Sequence, residues 1–166
     1  MISFRDPDGF VLRAADRRMK AFGGRPPRKL LDIGCHTGHF SMIAARHGAR
    51  VVAIDRDPGA VGSLWRSARQ SRADVLPLLV DIARPPGDCG WANRECESFL
   101  ARACGQFDYV LLLALVHHLV VNERPPLSEI FALTAELTTK FAVIEYIDPT
   151  DPQIPADCPR PLCASP

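Results

Sequence analysis

Residues 28–57, RKLLDIGCHTGHFSMIAARHGARVVAIDRD, constrain the fold of this chain more than any other stretch. An apolar run over residues 29–33 meets a turn at Gly34. An amphipathic segment over about residues 38–47 follows, and a second apolar run over residues 50–54 ends at Asp55. Two short apolar runs joined through a helix-length segment make a βαβ unit with parallel strands. Gly34 supplies backbone angles closed to other residues and lets a ligand approach the main chain. The first amides of the helix have no internal partner, so that end favours a carboxylate or phosphate. An acidic residue about 20 positions beyond such a turn, at the end of the second strand, can accept hydrogen bonds from ribose hydroxyls. Asp55 occupies that place.

The rest of the chain repeats the alternation. Asp57-Pro58 is a helix start, with Asp capping free amides and proline at the first helical position. Val61, Leu64, Trp65 and Ala68 then form one apolar stripe, which puts Trp65 in the core. Residues 75–80, VLPLLV, read as a third strand, and Pro77 places it toward an edge. The segment 83–103 contains a Pro85-Pro86-Gly87 loop and a helix from Ser98 toward Gly105, with Trp91, Asn93 and Arg94 in a loop able to reach over the crevice. Residues 107–115, FDYVLLLAL, read as a central strand buried on both faces. Leu127, Ile130, Phe131, Thr134 and Leu137 mark another helical stripe, and residues 141–147 a fifth strand. Five parallel strands joined by helical crossovers in the order 3-2-1-4-5 are therefore expected.

The strings LLDIGCHTGHFS and VVAIDRD resemble motifs I and II of class I S-adenosylmethionine-dependent methyltransferases, whose usual loop reads Asp-x-Gly-x-Gly-x-Gly. Here that loop is Asp32, Gly34, His36 and Gly38, with histidine in place of the middle glycine. The resemblance covers roughly residues 28–147 and implies a Rossmann-like α/β sheet binding S-adenosylmethionine. It places the amino-acid end of the cofactor near Asp32, Gly34 and Gly38, with His36 facing it, the ribose at Asp55 and adenine near Asp81. Val116-His117-His118-Leu119 matches the segment after the fourth strand that borders the transferred methyl group. DIGCHTGHFS, GWANRECESFL and VHHLVVNERPPL are similar to small bacterial methyltransferases related to nodulation proteins, which implies a small-molecule or oligosaccharide acceptor. A Gly-x-Gly-x-x-Gly fingerprint is absent, so a nicotinamide oxidoreductase is the weaker reading.

Methyl transfer from a sulfonium is an in-line displacement that depends mainly on holding donor and acceptor together, an effect of roughly 7–11 kcal/mol. A hydroxyl acceptor also needs a base, and histidine has a suitable ordinary pKa. His117 and His118 are the catalytic candidates, of which one faces the crevice; the bland alternative is that they cap or pack the following helix. His39 reads as a first-turn helix residue. Glu145 and Asp148 flank the end of the fifth strand at the crevice edge, where they could touch an acceptor, but read first as turn or surface residues.

With 166 residues, 47% of them hydrophobic, the chain accommodates one α/β domain over residues 28–147. Residues 1–27 form a lead-in, where Asp8-Gly9 marks a turn between two short extended runs. Residues 148–166 form a proline-rich tail without apolar period. The resemblance implies a further C-terminal hairpin carrying β6 and β7, for which no residues are left. That shortfall, with His36, also fits a truncated or inactive cofactor-binding module that needs a partner, and an exposed sheet edge fits a homo-oligomer. Twenty Lys and Arg against 19 Asp and Glu leave a net charge of +1, so no nucleic-acid footprint is indicated. The N-terminal residues lack a basic region followed by an apolar run, and residues 109–116 are too short to span a bilayer, so no membrane and a cytoplasmic location are expected. Six cysteines lack paired CxxC spacing, so no metal site and reduced thiols are expected, with Cys35 filling space in the turn.

Overall fold

The computed structural model describes residues 28–145. Its strands are β1 (Lys29–Ile33), β2 (Arg50–Asp55), β3 (Val75–Leu79), β4 (Phe107–Leu112) and β5 (Thr138–Ile144). Its helices are α1 (His39–Arg46), α2 (Pro58–Ser71), α3 (Phe99–Ala103) and α4 (Leu127–Leu137). A helical turn at Val116–His118 runs into a wider π-type turn at Leu119–Glu123. All strand pairs are parallel, in the order β3-β2-β1-β4-β5. The chain therefore reverses its direction of winding between β1 and β4, and the crevice of such a sheet opens at the carboxyl ends of those strands. The hairpin expected before residue 28 lies outside the described residues, as does everything expected beyond Glu145.

Side chains alternate along each strand, so the sheet has two apolar faces. Leu31, Ile33, Ile54, Val110 and Leu112 pack with Phe99 of α3 and with Ile130 and Leu137 of α4. Leu30, Val51, Ala53 and Tyr109 pack with Ala44 of α1 and Leu64 of α2. The result is a sheet between two helical layers. Asp57 caps α2 by accepting the Gly59 N–H at 2.7 Å, and Pro58 is the first helical residue, as the sequence predicts.

Four expectations need correction. Trp65 is 51% exposed and Phe131 49% exposed, because each lies one residue past the buried Leu64 and Ile130. One residue is about 100° of helix rotation, which carries these side chains off a narrow stripe. Trp65 instead lies under the Arg69 guanidinium, 5.3 Å from its ring centroid. β4 stops at Leu112, three residues before its expected end, because Ala114 takes a left-handed φ of +52°. β5 begins at Thr138, three residues early, straight out of α4. Its hydroxyl reaches the Asp108 carbonyl at 3.1 Å, fixing the register against the start of β4. Among the described residues no helix is long and apolar enough to cross a membrane.

Candidate functional site

The four strand ends that meet at the switch point enclose a cleft of about 350 Å³. Gly34 and His36 after β1, Asp55 and Arg56 at β2, Asp81 after β3 and Leu113–Leu115 after β4 line it. His118, Leu119 and Glu123 close the far side.

Asp55 organises the turn. Its Oδ2 accepts the His36 N–H at 2.7 Å, and its Oδ1 accepts the Asp57 N–H at 2.9 Å. Each carboxylate oxygen keeps a second lone pair, so the group can accept two more hydrogen bonds from a ligand. His36 has a φ of +49°, a conformation unusual for a residue with a side chain, which gives a physical reason for glycine at that position. The bond from its amide to Asp55 holds it there. Gly34 has a φ of +75°, and a Cβ on it would stand 3.1 Å from a Leu115 methyl. Bare backbone there forms one wall of the cleft.

Asp32 and Gly38 lie beside the cleft and do not line it. Asp32 sits on the Leu30 face of the sheet, only 2% exposed, and accepts a 2.5 Å hydrogen bond from the Ser41 hydroxyl of α1. This bond ties β1 to the helix across the turn. Sequence reasoning missed Ser41, although its position two residues into the helix after the turn was the available signal. Burial holds the Asp32 carboxyl up at about 6, above its ordinary 3.8, against the lowering effect of the Ser41 bond, while the Asp55 charge adds to the rise. Between about pH 4 and 6 the folded chain thus keeps a proton that the unfolded chain releases. This group stabilises the fold below about pH 4, and that contribution is lost as pH rises through about 6. Asp32→Asn, neutral throughout, is expected to remove this downward step from urea-unfolding stabilities measured across that range. An unchanged profile would show Asp32 ionised in the folded protein. Cys35 is buried in the same turn, its thiol pushed up to about 12 by burial and by Asp32 and Asp55, which makes it an inert space-filler.

Asp81 faces the cleft. Its Oδ1 accepts the Ala83 N–H at 3.0 Å, and its Oδ2 lies 3.6 Å from Arg84. Arg84 also clasps Glu123 with both terminal guanidinium nitrogens, at 3.0 and 2.6 Å. The pair joins the loop after β3 to the π-type turn across the cleft, a contact between residues 39 apart that the sequence does not announce.

Of the two adjacent histidines, His118 lines the cleft and His117 does not. Their rings stand 4.0 Å apart. His117 is half-buried, and its Nδ1 has no hydrogen-bond partner among the described residues. Burial, with His118 beside it, lowers its pKa below the usual histidine range. Trp91, Asn93 and Arg94, expected to reach over the crevice, line no part of it; Trp91 is 85% exposed.

Glu145, expected to be a turn or surface residue, instead braces the cleft floor. Its N–H donates to the Leu112 carbonyl at 2.9 Å, and its Oε2 accepts the Ala114 N–H at 2.6 Å. Glu145 thereby holds Ala114 in its left-handed conformation, which turns Leu115 toward Gly34. Glu145→Ala is expected to destabilise the fold by about 1–2 kcal/mol through the lost charge-assisted bond. Adding Ala114→Gly should return part of that loss, because glycine takes this conformation freely. Chemical denaturation of the single and double variants checks it; equal stabilities for both would mean that Glu145 does not support Ala114.

The family described as Methyltransferase domain matches residues 5–153 of this chain. Nodulation protein NoeA of Rhizobium meliloti is 35% identical over 126 residues, which cover 75% of this chain and 26% of NoeA. Among solved structures, the bifunctional kinase-methyltransferase WbdD superposes on 89% of this chain with a TM-score of 0.65 at 23% identity, using 30% of its own length. Magnesium protoporphyrin IX methyltransferase ChlM from Synechocystis, determined with bound S-adenosylmethionine, covers 77% of this chain and 53% of its own, with a TM-score of 0.50 at 21% identity. The chain therefore spans about a quarter of NoeA and under a third of WbdD.

Proposed function

The chain belongs to the methyltransferase-domain family, and from that premise we propose that its cleft binds S-adenosylmethionine and serves methyl transfer to a small-molecule or oligosaccharide acceptor. The observation that carries this reading is the placing of the braced Asp55 carboxylate, Asp81 and the bare backbone of Gly34 in one cleft. Asp55 retains acceptor capacity for the two ribose hydroxyls. Asp81 stands at the end of the next strand, where the adenine amino group would reach it. Asp55 gives the cleft a carboxylate that suits a cationic sulfonium, while Asp81 and Glu123 are paired with Arg84. The volume falls within the roughly 300–1,000 Å³ usual for small-ligand sites.

When bound, the cofactor supplies an electrophilic methyl on sulfur. The chain's own residues do the rest. The Gly34 turn and Leu115 fix where the cofactor's backbone-facing edge can lie. Arg84 and Glu123 hold the opposite rim. His118, on the cleft wall, is the residue placed to take a proton from a hydroxyl acceptor, while His117 packs behind it.

A second cavity of about 430 Å³ adjoins the first and shares Ile33, Ile82, Ala83, Leu119 and Glu123 with it. Its walls include Leu112, Ile130 and Leu133, with Glu129 and Glu136. An acceptor with an apolar portion fits there beside the methyl donor.

The test is release of S-adenosylhomocysteine from the protein and S-adenosylmethionine with a panel of hydroxylated small molecules and oligosaccharides. The reading predicts release above the acceptor-free rate with at least one class. With that acceptor His118→Ala should lower kcat roughly 10²-fold, the lower range for a lost general base. His117→Ala should leave kcat within about fivefold. The opposite ranking would move the base to His117, and no release with any acceptor by a cofactor-binding protein would overturn the small-molecule reading.

A further inference from the structure

Two cysteines seven positions apart in sequence face each other in the loop before α3. Cys89 and Cys96 form an antiparallel bridge and exchange both main-chain hydrogen bonds, Cys89 N–H to Cys96 O at 2.9 Å and Cys96 N–H to Cys89 O at 3.1 Å. In a pair of this kind the Cα atoms stand about 5.5 Å apart, within the window of about 4.4–6.8 Å that a disulfide spans. Directly opposed residues also send their side chains to the same face. Both thiols are free, and a hydrogen bond to Cys96 is the main cause that raises the Cys89 thiol pKa.

The segment between them is closed by main-chain hydrogen bonds, including Asn93 N–H to the Gly90 carbonyl at 3.1 Å and Glu95 N–H to the Cys89 carbonyl at 3.2 Å. Trp91, Ala92, Asn93, Arg94 and Glu95 are all exposed. The Arg94 N–H donates to the Trp91 carbonyl at 3.2 Å around Ala92 and Asn93, whose φ values are +54° and +55°. Two left-handed central residues define the hairpin turn whose twist matches paired strands. Asn tolerates that conformation, whereas alanine is strained in it. At its root the hairpin is fastened to the body of the domain, because Asp88 accepts the Ser98 N–H at 2.7 Å and Ser98 caps α3, whose Phe99 is buried. The cysteine pair is thus the point where one covalent bond would lock a strained, solvent-surrounded hairpin onto an anchored base.

We propose that Cys89 and Cys96 are a reversible dithiol–disulfide site whose reaction partner is a small-molecule disulfide. One thiolate of the pair attacks a sulfur of that disulfide and expels the first small thiolate, leaving a mixed disulfide on the protein. The second cysteine, after losing its proton to solvent, attacks the first cysteine's sulfur, forms the protein disulfide and expels the other small thiolate. Two protein thiols are oxidised, and one disulfide is reduced to two thiols. The site lies outside the cofactor cleft, so it stands independently of the methyl-transfer reading.

The test treats the full native chain with glutathione redox buffers over a range of ratios, quenches with acid, alkylates, and maps the peptides by mass spectrometry. The expected product is a Cys89–Cys96 link lacking two hydrogens, with Cys35 and Cys104 still alkylated. Its equilibrium constant against glutathione should be at least about tenfold higher in the native protein than in denaturant, since exchange follows the proximity of the second thiol. Cys89→Ser should leave a mixed glutathione adduct on Cys96. The inference is overturned if both cysteines remain alkylated at every ratio, if the wild type stops at mixed adducts, or if the link forms equally well in the denatured chain.

Discussion

Gly38→Ala is expected to lower folding stability by about 2–5 kcal/mol, the sum of two separate costs. Gly38 precedes α1 with φ +81° and ψ +29°, a conformation that costs a residue with a Cβ roughly 1–2 kcal/mol. A Cβ there would also run into Leu64, standing 2.8 Å from its Cγ and closer still to its methyls. Leu64 is fully buried between α2 and the sheet, so it has nowhere to move, and overpacking of that kind typically costs about 1–3 kcal/mol. Gly105→Ala provides the control. Gly105 also has a positive φ, +61°, but nothing lies within 4 Å of a Cβ placed on it. It should show the backbone cost alone, so urea unfolding of the two variants separates strain from crowding. Equal losses in both would contradict the close packing of the turn against α2.

Asp55→Ala is expected to weaken S-adenosylmethionine binding by roughly 10²–10³-fold, or about 3–4 kcal/mol. Hydrogen bonds to a charged group are worth about 1.5–3 kcal/mol each, and two ribose hydroxyls would lose theirs. The substitution also releases the His36 amide, whose strained conformation Asp55 holds, so the turn loses its shape as well as its acceptor. Asp55→Asn keeps one carbonyl oxygen and should fall between wild type and alanine. Circular dichroism checks that each variant remains folded, and calorimetric titration reads the affinity. Binding of the alanine variant within about threefold of wild type would remove Asp55 from the site, because the loss of even one charged hydrogen bond exceeds that.

The sheet was legible in the sequence wherever local pattern and long-range pairing agree. The bounds of β1 follow from an apolar run cut off by Gly34, and the parallel pairing of the five strands from the four helix-length crossovers between them. Asp57-Pro58 announced α2 through its own capping chemistry. Where a distant partner decides, the sequence is silent. The end of β4 depends on Glu145, which arrives from β5 to hold Ala114 after the strand has closed. The apolar letters LAL in residues 113–115 carry no trace of that. Trp65 and Phe131 are apolar in sequence and exposed in the fold, because periodicity marks a direction around a helix but not the width of the buried stripe. In the site, Asp55, Asp81, Gly34 and His36 come together as the motif implied. Asp32 is drawn to Ser41 because strand alternation turns it to the α1 face. The pairing of Cys89 with Cys96 depends on a turn through Ala92, a residue that no turn rule selects.

Calorimetric titration of the wild-type chain with S-adenosylmethionine, and in parallel with S-adenosylhomocysteine, tests the central claim most directly. The account predicts saturable one-to-one binding of both ligands, abolished or greatly weakened by Asp55→Ala in a protein that remains folded. A folded wild type that takes up neither ligand would contradict it, leaving the methyltransferase architecture without its cofactor site.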